Sequence, residues 1–154
     1  MPYRICKAFE VESGHMLSKH PGRCRFPHGH SRRIEIVVAT DTLDQNDMVC
    51  DFKALKLALT DFIDKLDHAL AINSNDPLAQ SLTADQGARL VIFKNTDPTT
   101  EILAKSIYDY LQARIASQEQ LTDTEGNHYS LRRDLRVERV RVSETSSSWA
   151  EYTS

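Results

Sequence analysis

Cysteine is scarce in this chain of 154 residues, with 3 copies at positions 6, 24 and 50. An odd number at wide spacing argues against a disulfide framework. An excess of one charge is lacking too. The 19 Lys and Arg face 22 Asp and Glu, for a formal net charge of −3, so no global basic field favours nucleic acid. No apolar run reaches the roughly 18 residues that a membrane-spanning helix needs. The start, Met1-Pro2-Tyr3-Arg4, lacks the apolar core of a signal sequence. No repeat, linker or low-complexity segment divides the chain. These absences predict one cytoplasmic domain over residues 1–154, with no nucleic-acid or membrane partner. Apolar residues at 40% and charged residues at 27% suit a soluble globular protein, and the length allows a core without disulfide or metal staples.

Periodicity predicts two strands, two helices and two strands. The first strand runs from Tyr3 to Glu12. The second is marked by Ile34, Ile36 and Val38 alternating with Arg33, Glu35 and Val37, a period of two rich in β-branched residues. Asp51 is a good N-cap for a first helix whose buried stripe is Phe52, Leu55, Leu59, Phe62 and Leu66. A second helix opens at Asp97-Pro98-Thr99-Thr100-Glu101, with proline in its first turn and Leu103, Ile107, Leu111 and Ile115 as its stripe. Between the helices, Leu90-Val91-Ile92-Phe93 forms either a small strand or a core plug. The polar stretch from Ser117 to Ser130 reads as a loop. The final strands are Leu135–Glu144 and Ser148–Thr153. Their alternation slips, because Leu135 and Val137 are odd while Val140 and Val142 are even, which predicts a bulge near Glu138-Arg139. Cys6 and Cys50 read as buried structural thiols.

Chemistry concentrates near the N-terminus, in His15, Cys24, His28 and His30. On a strand, His28 and His30 point to one face, that of Ile34, Ile36 and Val38. Gly29 between them allows close packing on the other side. His15 supplies a third imidazole if the first two strands pair around residues 16–27. Three neutral imidazoles are good zinc ligands and leave a tetrahedral position open. They do not match the two-histidine, one-carboxylate pattern of non-haem iron, and His-Glu-x-x-His is absent. His20 reads as a turn tip and His128 as a solvated loop residue. Cys24, between Arg23 and Arg25, is a base or nucleophile of lowered pKa, a structural thiol, or a fourth zinc ligand. Asp67-His68, at the end of the first helix, looks inert, since adjacent helical residues do not face each other. Glu144 shares parity with Val140 and Val142, so its carboxylate faces inward and needs donors, from an arginine or from a ligand.

Taken together, the chain resembles the 6-pyruvoyl-tetrahydropterin synthase and 6-carboxytetrahydropterin synthase family. The resemblance rests on Ser13-Gly14-His15-Met16-Leu17, Cys24-x-x-x-His28-Gly29-His30, Asp51-Phe52 with Leu55-Lys56, Leu66-Asp67-His68, Pro98-Thr99-Thr100-Glu101 and Val142-Ser143-Glu144-Thr145. It implies an α+β tunnelling fold, ββααββ, with an antiparallel sheet and helices packed on one face. It implies a homo-oligomer, a trimer or a dimer of trimers. His15, His28 and His30 would hold zinc, and Cys24 would be the proton-transferring base. Asp67 and His68 would complete a relay with it from a neighbouring subunit. Glu144 would anchor the guanidine-like edge of a pterin by two parallel hydrogen bonds, with Thr99 or Thr100 nearby.

The implied substrate is 7,8-dihydroneopterin triphosphate. The short gap between Cys24 and His28 and the ending Ser148-Trp149-Ala150-Glu151-Tyr152 resemble the bacterial carboxy branch. That branch releases acetaldehyde and triphosphate and feeds 7-deazaguanine and queuosine synthesis. The alternatives are a 6-pyruvoyl-tetrahydropterin synthase, a zinc-containing pterin-binding module without turnover, and a structural zinc protein. A further branch, which diverts the substrate to folate, usually carries Glu in place of the cysteine. The segment Asn73 to Asp97 is longer than the family's link and either covers the site or decorates the surface. Arg23, Arg25, Arg32 and Arg33 are the candidates for a triphosphate-binding patch, though most of them read as a solvated basic edge.

Overall fold

In a computed structural model, residues 2–85 and 87–154 are described. Two long strands come first, β1 (Tyr3–His15) and β2 (His28–Thr40). They pair antiparallel over their whole length, from Tyr3 opposite Thr40 to His15 opposite His28. Strand β1 therefore runs past the expected Glu12 and carries His15 as its last residue. The first helix, α1 (Phe52–Leu66), is capped by the Asp51 side chain, which accepts from the Lys53 amide at 2.8 Å. Next come β3 (Ala69–Asn73), α2 (Leu78–Thr83), β4 (Leu90–Phe93) and α3 (Thr100–Ser117). A small hairpin, β5 (Leu121–Thr122) and β6 (His128–Tyr129), precedes β7 (Arg136–Thr145) and β8 (Ser148–Thr153). The main sheet has the order β4-β3-β1-β2-β7-β8.

The ββααββ skeleton holds, with additions. Strands β3 and β4 join the edge of β1 in parallel, so the sheet is mixed rather than purely antiparallel. The long 73–97 segment thus extends the sheet. Part of the polar 117–130 stretch is the β5–β6 hairpin.

The core lies between the sheet and helices α1 and α3, joining Val11, Ile34, Ile36 and Val38 to Leu55, Leu59, Leu103, Ile107, Leu111, Val140 and Val142. In α1 the buried stripe includes Ile63, whereas Phe52, in the opening turn, is exposed. The bulge falls on Glu138: Val37 faces Arg139 and Val38 faces Val137. That extra residue inverts the parity, so Val137 and Val140 are both buried. Cys50 is buried as expected, but Cys6 is exposed, since the even residues of this end of β1 lie on the face away from the helices.

Candidate active site

Three imidazoles converge at one end of the β1–β2 ladder. One ring nitrogen from each of His15, His28 and His30 lies within 4.8 Å of the others. Ladder register explains this: His15 sits opposite His28, and His30 is opposite Ser13, two residues along the same face. His15 Nδ1 donates to the Pro98 carbonyl and His28 Nδ1 to the Phe26 carbonyl, each at 2.8 Å. A carbonyl only accepts, so both rings carry their proton on Nδ1 and turn a bare Nε2 lone pair into the cluster. His28 Nε2 is buried without a partner. Burial lowers the His15 pKa to about 4 and, with the Arg32 charge, also lowers that of His30. Neutral imidazoles with converging lone pairs are what a divalent metal requires, so the donor set fits a zinc ion. Gly29 is not forced by packing, because a Cβ there would meet Ser13 O at an ordinary 3.6 Å.

A carboxylate stands beside this cluster. Glu144 Oε1 lies 3.5 Å from His30 Nε2 and 3.8 Å from His15 Nε2. Glu144 falls at a second irregularity: Ser143 faces Trp149 and Thr145 faces Ser148, leaving it unpaired. Its alternation with Val140 and Val142, both buried, carries the carboxylate to the inward face. Thr100 Oγ1 donates to Glu144 Oε1 at 3.2 Å. Thr99 does a different job, since its hydroxyl caps α3 by accepting from the Ile102 amide at 3.2 Å. Pro98 therefore lies before the cap, outside the first turn. Of the two threonines, Thr100 is the one at the carboxylate.

Arg32 is the residue that sequence reading missed. It is no solvated edge: it is 1% exposed, with Nη1 donating to Thr100 Oγ1 at 3.0 Å. The signal was present, because 32 shares the even parity of His28, His30, Ile34 and Ile36. A basic side chain simply disguised a core-facing position.

Asp67 and His68 form a couple just beyond α1. The helix ends at Asp67, whose ψ of 129° is extended; His68 follows at a left-handed φ of 56°, its Nδ1 3.0 Å from Asp67 Oδ2. Asp67 Oδ1 accepts from the Glu12 amide at 2.8 Å; this bond, then that from His68, holds its pKa below the ordinary carboxylate value. The exposed His68 ring borders a groove of about 280 Å³ with Glu12, Gly14, Gly29, His30 and Ser31. Cys24 does not line it; that residue sits in a short 3₁₀ turn, Arg23–Arg25, whose Cys24 carbonyl accepts from the Leu17 amide at 2.9 Å. His20 and His128 are exposed and stand apart from the cluster.

The loop between β1 and β2 is clasped by Asp97. Its carboxylate accepts from Ser18 N and Oγ, Lys19 N and Asn73 Nδ2 at 2.7–3.1 Å. Asp97 thus ties this loop to the end of β3, next to the proline whose carbonyl orients His15.

Comparison with known proteins gives matches that span nearly the whole chain. The 6-pyruvoyl tetrahydropterin synthase family model matches residues 4–154. The chain belongs to that family. A 6-carboxy-5,6,7,8-tetrahydropterin synthase of Aquifex aeolicus is 33% identical over 99% of this chain and 98% of its own length. One from Haemophilus influenzae is 27% identical over 97% and 98%. Among solved structures, an uncharacterized protein of Wolinella succinogenes superposes with a TM-score of 0.76 at 22% identity, covering 99% of this chain and 98% of the other. The 6-pyruvoyl tetrahydropterin synthase of Caenorhabditis elegans gives 0.65 at 15%, covering 100% and 96%. The α+β tunnelling fold of the family is thus the fold of this chain, and its helices carry no segment long and apolar enough to cross a membrane among the described residues.

Proposed function

We propose that this protein is a zinc-dependent 6-carboxy-5,6,7,8-tetrahydropterin synthase. It acts on 7,8-dihydroneopterin triphosphate and releases acetaldehyde and triphosphate, feeding 7-deazaguanine and queuosine synthesis. The observation that carries this reading is the convergence of His15, His28 and His30 beside the Glu144 carboxylate. The full-length relatives of that name support the carboxy branch over the pyruvoyl one. His15, His28 and His30 hold the ion, which when bound supplies Lewis acidity toward the substrate's side-chain hydroxyls. Glu144 accepts two N–H bonds from the pterin edge, with Thr100 steadying it. Cys24 removes and returns protons along the side chain as general base and acid.

Asp67 holds His68 as a proton partner for Cys24. The relay is completed by a neighbouring copy in a homo-oligomer, a trimer or a dimer of trimers; the absence of Cys24 from the lining of the groove beside His68 supports this arrangement. Incubation with 7,8-dihydroneopterin triphosphate and product analysis tests the reading. Carboxytetrahydropterin with acetaldehyde supports it, and a pyruvoyl product overturns the branch. A second reading, a pterin-binding module without turnover whose Glu144 closes the metal site, draws on the 3.5 Å approach of Glu144 to His30. Stoichiometric zinc with no product would favour it.

A further inference from the structure

Arg32 is a buried guanidinium to which the mechanism above gives no work. Burying a charge is costly unless it is well paired. A residue that only filled this space would be apolar, as Ile34, Ile36 and Val38 are on the same face. Instead Nη1 donates to Thr100 Oγ1 at 3.0 Å and to the Ser143 carbonyl at 3.3 Å. Nη2 lies 3.3 Å from His15 Nδ1, and Nε is buried without a partner.

The donors and acceptors fix a direction. A guanidinium has donors only, so the Thr100 oxygen must accept from it. The single Thr100 hydrogen is then free to point elsewhere, and Glu144 Oε1 is the acceptor beside it at 3.2 Å. We propose that Arg32 is a positioning residue for Glu144: acting through Thr100, it grips the carboxylate by Oε1 and leaves Oε2 and the second Oε1 lone pair for the two N–H groups of a pterin. Ser143, whose carbonyl Arg32 also holds, immediately precedes Glu144, so the same guanidinium steadies the backbone at the bulge. This inference rests on the reading of Glu144 as the pterin-binding carboxylate.

The test is fluorescence titration of 2-amino-4-oxopteridine into the zinc-loaded protein. It compares wild type with R32M, R32K, T100V, E144Q and R32M/E144Q, each with its zinc content and melting temperature. E144Q should weaken binding about 100-fold, the loss of charge-assisted bonds. R32M and T100V should each weaken it about 10-fold, and R32K should recover part of that, since a lysine keeps the charge without the fork. The double variant should bind no more weakly than E144Q, because Arg32 acts only through Glu144. Wild-type affinity in R32M, whatever T100V shows, or additive losses in the double variant, overturns the proposal; so does a lowered melting temperature with unchanged affinity. If R32M fails to fold, R32K decides, because it changes Arg32 alone and keeps the Thr100–Glu144 bond: a loss of affinity at unchanged melting temperature supports the proposal, and wild-type affinity overturns it. E144Q at wild-type affinity overturns the Glu144 reading itself. A weakened E144Q beside unaffected R32M and T100V overturns the Arg32 relay alone.

Discussion

The Nδ1 of His15 donates to the carbonyl of Pro98 at 2.8 Å across 83 residues of chain. This bond joins the end of β1 to the approach of α3 and decides which ring nitrogen faces the cluster. The same Pro98 follows Asp97, whose carboxylate clasps the loop leading to Cys24. Ligand orientation and loop position are thereby anchored at one point.

Metal analysis should find a single ion per chain in the wild type, as three converging imidazoles predict. Replacement of His15, His28 or His30 by alanine should each remove it. Dialysis against a chelator should abolish turnover, and zinc should restore it. Stoichiometric zinc in all three alanine variants would place the metal elsewhere.

Cys24→Ala should keep its zinc, because the converging nitrogens do not include this thiol. Turnover should fall by about 10²–10⁴-fold, the range of a lost general base. Elemental analysis and product formation on one preparation separate the roles. Loss of the ion together with activity would make Cys24 a fourth ligand.

If the relay spans two copies, Cys24→Ala and His68→Ala should complement each other. Each alone should be inactive. After co-refolding, random assortment leaves about a quarter of shared sites with both native residues, and activity should return in that proportion. Continued inactivity of well-formed mixed oligomers would confine the relay to one chain.

Asp97→Asn should loosen the loop clasp and lower stability by about 1–3 kcal/mol at neutral pH in denaturant unfolding. Burial raises the Asp97 pKa, but the donors from Ser18, Lys19 and Asn73 outweigh it and leave the value below the ordinary 3.8. A carboxyl whose folded pKa is depressed adds stability above its unfolded value and loses it as pH falls through the folded one. The wild type should therefore lose this contribution in the acid range below about 4, and the variant should show a shallower loss there. Identical acid limbs would show that Asp97 contributes nothing to the pH dependence.

Much of the site was legible because strand geometry is local. A period of two put His28 and His30 on the face of Ile34 and Ile36, and the slip between Val137 and Val140 located the bulge that Glu138 occupies. Arg32 followed the same rule but was hidden by its charge, since side-chain type and parity gave opposite answers. Strand β3 was missed because Ala69-Leu70-Ala71-Ile72-Asn73 carries no alternation; it is a strand through parallel pairing with β1 and β4. Phe52 obeyed the helical spacing, yet lies exposed in the opening turn of α1.

The sequence by itself determined the fold skeleton, the three imidazoles and the inward parity of Glu144, because each follows from spacing along one or two adjacent strands. Only the tertiary structure decided which threonine meets Glu144, which carbonyls orient the histidines, and that a guanidinium lies buried among them. Those contacts join residues far apart in the chain, such as His15 with Pro98 and Arg32 with Thr100. Spacing along one strand carries no record of which distant segment the sheet and α3 will bring against it.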